Sequence, residues 1–288
     1  MRAPAAPADH ATAGNRRTGA TPVSVIALDG ATVRRRRDRL ATEEPLEVRV
    51  AGPGEEPVAV AVTMRTPGHD LELAAGLLAA EGLLGDGITA ARACPDAENV
   101  VQVRLRSPLR RDRLRRRIEI SSSCGLCGHT TIDELAARCP GLDPAAGPVV
   151  DPALLFALPD RLREHQRLFA TTGGLHAAAG FAADGTLLAL REDVGRHNAL
   201  DKLLGRRVLD PATPPPAIVL LSGRASLELV QKAAIAGVPV LCAVSAPSSL
   251  AVDAAEALGV TLVGFLRGER ANVYAHPERL GLGTEALR

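Results

Sequence analysis

The stretch AIVLLSGRASLELVQKAAIAGVPVLCAVSAPSSLAVDAAEALGVTLVGFL, residues 217–266, contains three apolar runs: AIVLLSG (217–223), VPVLCAV (238–244) and VTLVGFL (260–266). Between them lie ASLELVQKAAIAG (225–237) and SSLAVDAAEALG (248–259), which have helical spacing. Gly237 and Gly259 sit where those helices must stop. Strands that are apolar on both faces and alternate with helices predict a parallel sheet covered on both sides.

The pattern extends in both directions. LHAAAGFAADGTLLALRED (175–193) reads as two strands turned at Asp184-Gly185, followed by a short helix, HNALDKLLG (197–205). An antiparallel hairpin joined to βαβαβ predicts a three-layer α/β domain, placed at 151–288. At its start, Asp151 and Pro152 are a cap and first-turn pair, and Pro159 should interrupt the helix they begin. Farther upstream, EEPLEVRVAG (43–52) and PVAVAVTMRT (57–66) alternate as a hairpin. DLELAAGLLAAEGLL (70–84) has helical leucine spacing and ends at Gly85, and NVVQVRL (99–105) is another strand. These define a smaller α+β domain over 22–118, preceded by an Ala/Pro/Gly-rich disordered tail, 1–21, and followed by a mobile segment, 119–150.

Composition limits what the chain can be. Lys plus Arg number 34 against 33 Asp plus Glu, a formal net charge of +1, which argues against a general nucleic-acid binder. No apolar run reaches the length of a membrane span. The N-terminus lacks the apolar core of a secretory signal. Five cysteines do not form a disulfide framework, and a reducing cytoplasm is the natural compartment.

Four stretches carry candidate chemistry. The first is SSSCGLCGHTT (121–131), in which Cys124 and Cys127 are each followed by glycine. Thr131 and Glu134 have capping-box spacing, so a helix is expected near Ile132. A reactive thiolate, a thioredoxin-like dithiol and half of a structural zinc site are all compatible with this loop. Zinc would need further ligands, and His129, Cys94 and Cys139 have no familiar spacing. The second stretch is REDVGRHNALDKLLG (191–205), where Arg196, His197, Asn198, Asp201 and Lys202 crowd a helix start. It reads either as a solvated helix entrance capped by Asn198 or as an anionic-ligand or partner site, with the helix N-terminus and Arg196 offering donors. The third is LLSGRASLELV (220–230), a strand running into a turn with Arg224, repeated one unit later by SAPSSLAV (245–252). Open α/β sheets place ligands at such carboxyl ends, although an ordinary capped helix is the equal alternative. The fourth is GFLRGERANVYAHPERL (264–280), which places Arg267, Glu269, Arg270 and Asn272 at the same edge. Phe265 and Tyr274 could stack on a ring or pack in the core, and His176 and His276, taken alone, read as structural. Neither GxGxxG nor a Walker pattern is present.

Taken in order, EEPLEV (43–48), RTPGHDLELAAGLLAAEGL (65–83), SSCGLCG (122–128), REDVGRHNALDKLLG (191–205), SGRASLELVQKAAIAGVPVL (222–241) and GFLRGERANVYAHPER (264–279) resemble the FdhD/NarQ family of formate dehydrogenase accessory sulfurtransferases. The resemblance implies a cytidine-deaminase-like C-terminal domain and a homodimer. It also implies a cysteine desulfurase that loads persulfide sulfur onto the CxxC loop. The sulfur then passes to molybdenum in the bis(molybdopterin guanine dinucleotide) cofactor before insertion into formate dehydrogenase. On this chain it marks Cys124 as the persulfide-forming residue and Cys127 as its partner. It marks Phe265, Leu266, Arg267, Gly268, Glu269 and Arg270 as the cofactor-binding segment. The His-x-Glu and Pro-Cys-x-x-Cys set of zinc deaminases is not found in the α/β region, so deamination and a resident metal are not expected.

Overall fold

The computed structural model describes residues 19–110, 139 and 141–283. The C-terminal part is a six-stranded sheet of order β12-β11-β10-β9-β7-β8. Its strands are β7 (His176–Phe181), β8 (Leu187–Asp193), β9 (Ile218–Leu221), β10 (Val240–Ala243), β11 (Thr261–Arg267) and β12 (Arg270–Ala275). β9, β10 and β11 are parallel, while β7, β8 and β12 run antiparallel to their neighbours.

The parallel strands alternate between two cores, as a two-residue period requires. Val219 and Leu221 face one core with Leu241 and Leu262. The helices α5 (Arg196–Leu209), α6 (Leu227–Ile235) and α7 (Ser249–Leu258) cover it with Leu200, Leu229 and Ala254. Ile218 and Leu220 face the other with Val240 and Cys242, under Leu155 of α2 (Pro152–Leu155) and Leu158 and Leu162 of α3 (Leu158–His165). Both faces of the parallel strands are therefore covered, as their composition predicts. The helical stretch after Asp151 is broken: α2 and α3 are separate, and Pro159 occupies the first turn of α3, where its missing N–H costs nothing. α4 (Arg167–Thr172) follows.

In the N-terminal part, β3 (Glu44–Ala51), β4 (Val58–Arg65), β5 (Ile88–Ala93) and β6 (Val100–Leu105) form a sheet of order β4-β3-β6-β5. The helix α1 (Asp70–Ala80) covers it, with Leu73, Leu77 and Leu78 packed on Leu46, Val48 and Val103. A separate ribbon pairs β1 (Ala20–Asp29) with β2 (Thr32–Ala41). The ribbon, β5 and β12 have no counterpart in the strands expected from sequence. β2 is rich in arginine and β5 in alanine, so neither shows the apolar alternation that marks a strand.

Two helix ends differ from expectation for a physical reason. α1 stops at Ala80, because Gly82 already takes the left-handed conformation (φ 65°) that reverses the chain before Gly85. α5 runs through Gly205 to Leu209. Gly205 is a contact point with α1 rather than a stop: a Cβ there would lie 1.8 Å from the Glu72 carbonyl oxygen.

Candidate functional site

The carboxyl edge of the six-stranded sheet gathers three of the four candidate stretches. Leaving β9, Ser222 receives the Ala177 N–H at 2.8 Å, which ties the turn to β7. The chain then bridges in parallel from Ala225 to Pro247, with Ala225 N–H to Ala246 O at 3.2 Å and Ser248 N–H to Ala225 O at 3.0 Å. The turns after β9 and β10 are thus neighbours, as their repeated pattern suggests. Ser248 caps α7 through Ala251 N–H at 3.3 Å. Ser226 precedes α6 without a side-chain cap; its hydroxyl lies 3.2 Å from His197 Nε2.

That contact joins the second stretch to the third. His197 Nε2 also lies 3.1 Å from Glu228 Oε2. Burial lowers the His197 pKa, Glu228 acts in the opposite sense, and Arg196 adds to the lowering. At the start of β7, His176 packs on the same turn: a Cβ on Gly223 would lie 3.1 Å from His176 Nδ1. Burial and then Arg196 lower its pKa as well. Both imidazoles therefore favour the neutral form, which can accept a hydrogen bond at one nitrogen. Arg196 Nε is buried and, among the described residues, has no hydrogen-bond partner. His176 escaped sequence reasoning because only the antiparallel placement of β7 brings its first residue to the carboxyl edge of β9. His276, in contrast, is structural, with Nε2 donating to Glu256 O at 3.0 Å.

The fourth stretch completes the edge. The Phe265 N–H donates to Ser245 O at 3.2 Å, and Arg267 Nε donates to Val244 O at 2.8 Å, which anchors the β11–β12 hairpin on the turn after β10. Phe265 has φ 53° and is 41 % exposed, while Tyr274 is half-buried. Gly264 is the only residue that fits its place, since a Cβ would come within 2.8 Å of Pro247 Cδ and 2.9 Å of the Tyr274 ring. Arg224, Glu269 and Arg270 are exposed at this edge, whereas the Leu266 side chain is buried in the sheet core, leaving only its backbone for a ligand. Exposed guanidiniums and an exposed ring suit an anionic ligand with an aromatic base.

The polar residues farther along α5 have a different role. Asn198 is not a cap: it is buried behind a helix entrance at which Arg196 and His197 stay partly exposed. Asn198 Nδ2 donates to Met64 O at 2.7 Å and to Asp193 Oδ1 at 3.1 Å, and its Oδ1 accepts from Thr63 Oγ1 at 3.3 Å. Lys202 is buried against Asp193 at 2.7 Å and donates to Thr66 O at 2.8 Å. Asp201 pairs with Lys232 at 2.6 Å; burial, only partly opposed by Lys232, raises its pKa to about 6. Asn198, Asp193 and Lys202 thus bind the N-terminal part to the α/β part, while Asp201 and Lys232 tie α5 to α6.

Cys124, Cys127 and the helix expected after Thr131 lie outside the described residues. Cys139 is buried in the core that α5, α6 and α7 cover, and Cys94 lies beside Gln102 of β6, with the amide donating to its sulfur at 3.6 Å. Among the described residues no group of three His, Cys, Asp or Glu side chains could hold a metal. No described helix is long and apolar enough to cross a membrane.

The sequence profile of the FdhD/NarQ family matches residues 41–281, which include both ends of this edge and the CxxC pair. The chain belongs to the FdhD/NarQ family. Relatives in it are named sulfur carrier protein FdhD. One from Streptomyces coelicolor is 50 % identical over 90 % of this chain and 94 % of its own length. One from Nocardia farcinica is 48 % identical over 89 % and 93 %. A crystal structure from Desulfotalea psychrophila, described as that of a candidate formate dehydrogenase accessory protein, superposes with a TM-score of 0.70. It covers 91 % of this chain and 99 % of that one at 24 % identity, and so shows a shared fold.

Proposed function

We propose that this protein is a sulfur carrier in formate dehydrogenase maturation, with Cys124 as the residue that carries sulfur. The supporting observation is the family match over 41–281, which spans SSCGLCG, together with relatives of near 50 % identity that bear the sulfur-carrier name. In the loading step the Cys124 thiolate attacks the terminal sulfur of a cysteine desulfurase persulfide. The donor S–S bond breaks, the donor thiolate leaves, and Cys124 becomes the persulfide. Cys127 is the second thiol of the loop.

The acceptor in this reading is the molybdenum of the bis(molybdopterin guanine dinucleotide) cofactor, bound as substrate at the sheet's carboxyl edge. Arg267 and Arg270 meet its phosphates, Phe265 stacks on a ring, and the backbone of Leu266, Gly268 and Glu269 lines the turn. The sheet order with a hairpin at one edge fits the cytidine-deaminase-like arrangement. Action as a cytoplasmic homodimer belongs to the same proposal.

The test is intact mass after incubation with a cysteine desulfurase and cysteine, followed by peptide mapping. A reductant-labile addition of one sulfur on Cys124, abolished in Cys124→Ala, is expected. An unmodified Cys124 under conditions that load the desulfurase itself would remove the proposal.

A further inference from the structure

We propose that the β1–β2 ribbon is a docking arm for an acidic protein surface. In the pairing register, Pro22, Ser24, Ile26 and Leu28 stand opposite Arg39, Arg37, Arg35 and Val33, so these eight side chains share one face. That face is solvent-exposed throughout. Arg35, Arg37 and Arg39 form a cationic stripe along it. Leu28 (75 % exposed), Ile26 (66 %) and Val33 (65 %) make an apolar tip. The ribbon's ion pairs, Arg34–Asp29 at 3.1 Å and Arg36–Asp38 at 3.2 Å, lie on the opposite face, where Val23, Val25 and Ala27 are half-buried. One face is thus neutralised and half-covered; on the other, three guanidiniums have no partner among the described residues and the apolar end is uncovered.

A two-stranded ribbon of ten-residue strands is marginal in water by itself, and an exposed apolar tip adds no folded-state stability. Its charge pattern selects the occupant. A second copy docked face to face would bring the arginines of two such faces onto one interface with no carboxylate on either face, which is repulsive. Nucleic acid is disfavoured by the apolar tip and by the absence of any aromatic side chain between residues 20 and 41 on which a base could stack. An acidic protein surface complements the stripe, and an apolar contact beside it accepts the tip.

Position supports the same assignment. At the ribbon's base the Ala41 side chain packs on Gly174, two residues before His176 at the candidate site. The base of the ribbon therefore lies near the sheet's carboxyl edge.

The choice of probe rests on the sulfur-carrier reading: purified apo formate dehydrogenase from the same organism, titrated with the full chain at low and high salt. The parent protein is expected to bind, and to bind more weakly as salt rises. The R35E/R37E/R39E variant should lose at least about tenfold in affinity at low salt, while R35K/R37K/R39K stays close to the parent. Ile26→Ser with Leu28→Ser, which leaves the charge intact, should also weaken binding. Unfolding profiles matching the parent's will show that the variants remain folded. Equal binding by the parent and the charge-reversed protein, no binding by either, or an arginine-dependent preference for a DNA or RNA fragment over the enzyme would each overturn the proposal. Desulfurase loading is measured on the same preparations. Arginine-dependent docking without sulfur on Cys124 would sink the carrier reading alone; loading without docking would sink the ribbon alone.

Discussion

Gly76 of α1 and Gly205 of α5 lie against each other, so that a Cβ on Gly205 would sit 2.6 Å from the Gly76 backbone nitrogen. A Cβ on Gly76 would in turn lie 2.0 Å from the Asp201 carbonyl oxygen. Two glycines inside helices cost roughly 1 kcal/mol each relative to alanine, and the close crossing is what that cost obtains. The crossing presses the N-terminal part onto the α/β part at backbone distance.

Gly205→Ala and Gly76→Ala should each destabilise the protein by about 3 kcal/mol, at the upper end of overpacking effects, because the obstructing atoms are backbone. Urea unfolding measures it. The double variant should lose less than the sum, since one separation of the helices relieves both contacts. Additive losses would mean that the helices do not meet at these residues.

The buried Lys202–Asp193 pair, 2.7 Å apart, connects the same two parts through Thr66. Lys202→Met leaves a buried carboxylate without its counter-ion and should cost about 3–5 kcal/mol. Adding Asp193→Asn should recover part of that loss. Calorimetric unfolding of the single and double variants checks both statements.

Across this interface Arg191 Nε and the Glu72 carboxylate are 2.5 Å apart. Burial alone would raise the Glu72 pKa, but the hydrogen bonds from Arg191 and His69 prevail and hold it at about 2, below its ordinary 4.5. A depressed carboxylate contributes stability that is complete above its unfolded pKa and is lost as pH falls through the folded one. Glu72→Gln should therefore cost on the order of 3 kcal/mol at pH 7, with the difference from the parent shrinking below about pH 4.5 and vanishing near pH 2. Asp201 works in the opposite sense. Its raised pKa makes ionisation a cost above about pH 6, relieved as pH falls, so comparison of parent with variant isolates Glu72. A constant difference between pH 7 and pH 3 would refute the assignment.

The parallel sheet was legible because Ile218–Leu221, Val240–Ala243 and Thr261–Leu266 are apolar on both faces, a pattern that only a doubly covered strand needs. The adjacency of the turns after β9 and β10 followed from that topology. The ribbon was not legible, since neither face of β2 is apolar in sequence and its strand form depends on pairing with β1. The role of REDVGRHNALDK was only half legible. A dense polar run looks the same whether water or a second sheet satisfies it. Only the approach of Met64 and Thr66 shows that Asn198 and Lys202 are used internally, leaving Arg196 and His197 at the edge.

Cys242 is fully buried, and burial pushes its thiol up to about 12. Iodoacetamide near pH 8 should leave it unmodified in the native protein and label it only after denaturation, as read by peptide mapping. Native labelling of Cys242 would show that the core around β10 opens.

Arg267 and Arg270 offer the sharpest test of the sheet edge. The Arg270 side chain is exposed on the hairpin and, on the proposed reading, free to meet a phosphate. Arg267 also anchors the hairpin through its Nε bond to Val244 O. With GDP as probe, Arg270→Ala should weaken binding by roughly tenfold, the loss of one charge-assisted contact. Arg267→Ala should weaken it at least as much, because it also releases the hairpin from the turn after β10. Lysine should rescue position 270 in part, since charge is retained. It should rescue position 267 less, because an ammonium lacks the planar fork that can hold a carbonyl with one N–H and a phosphate with another. Calorimetry showing unchanged GDP affinity in both alanine variants would take the two arginines out of the site.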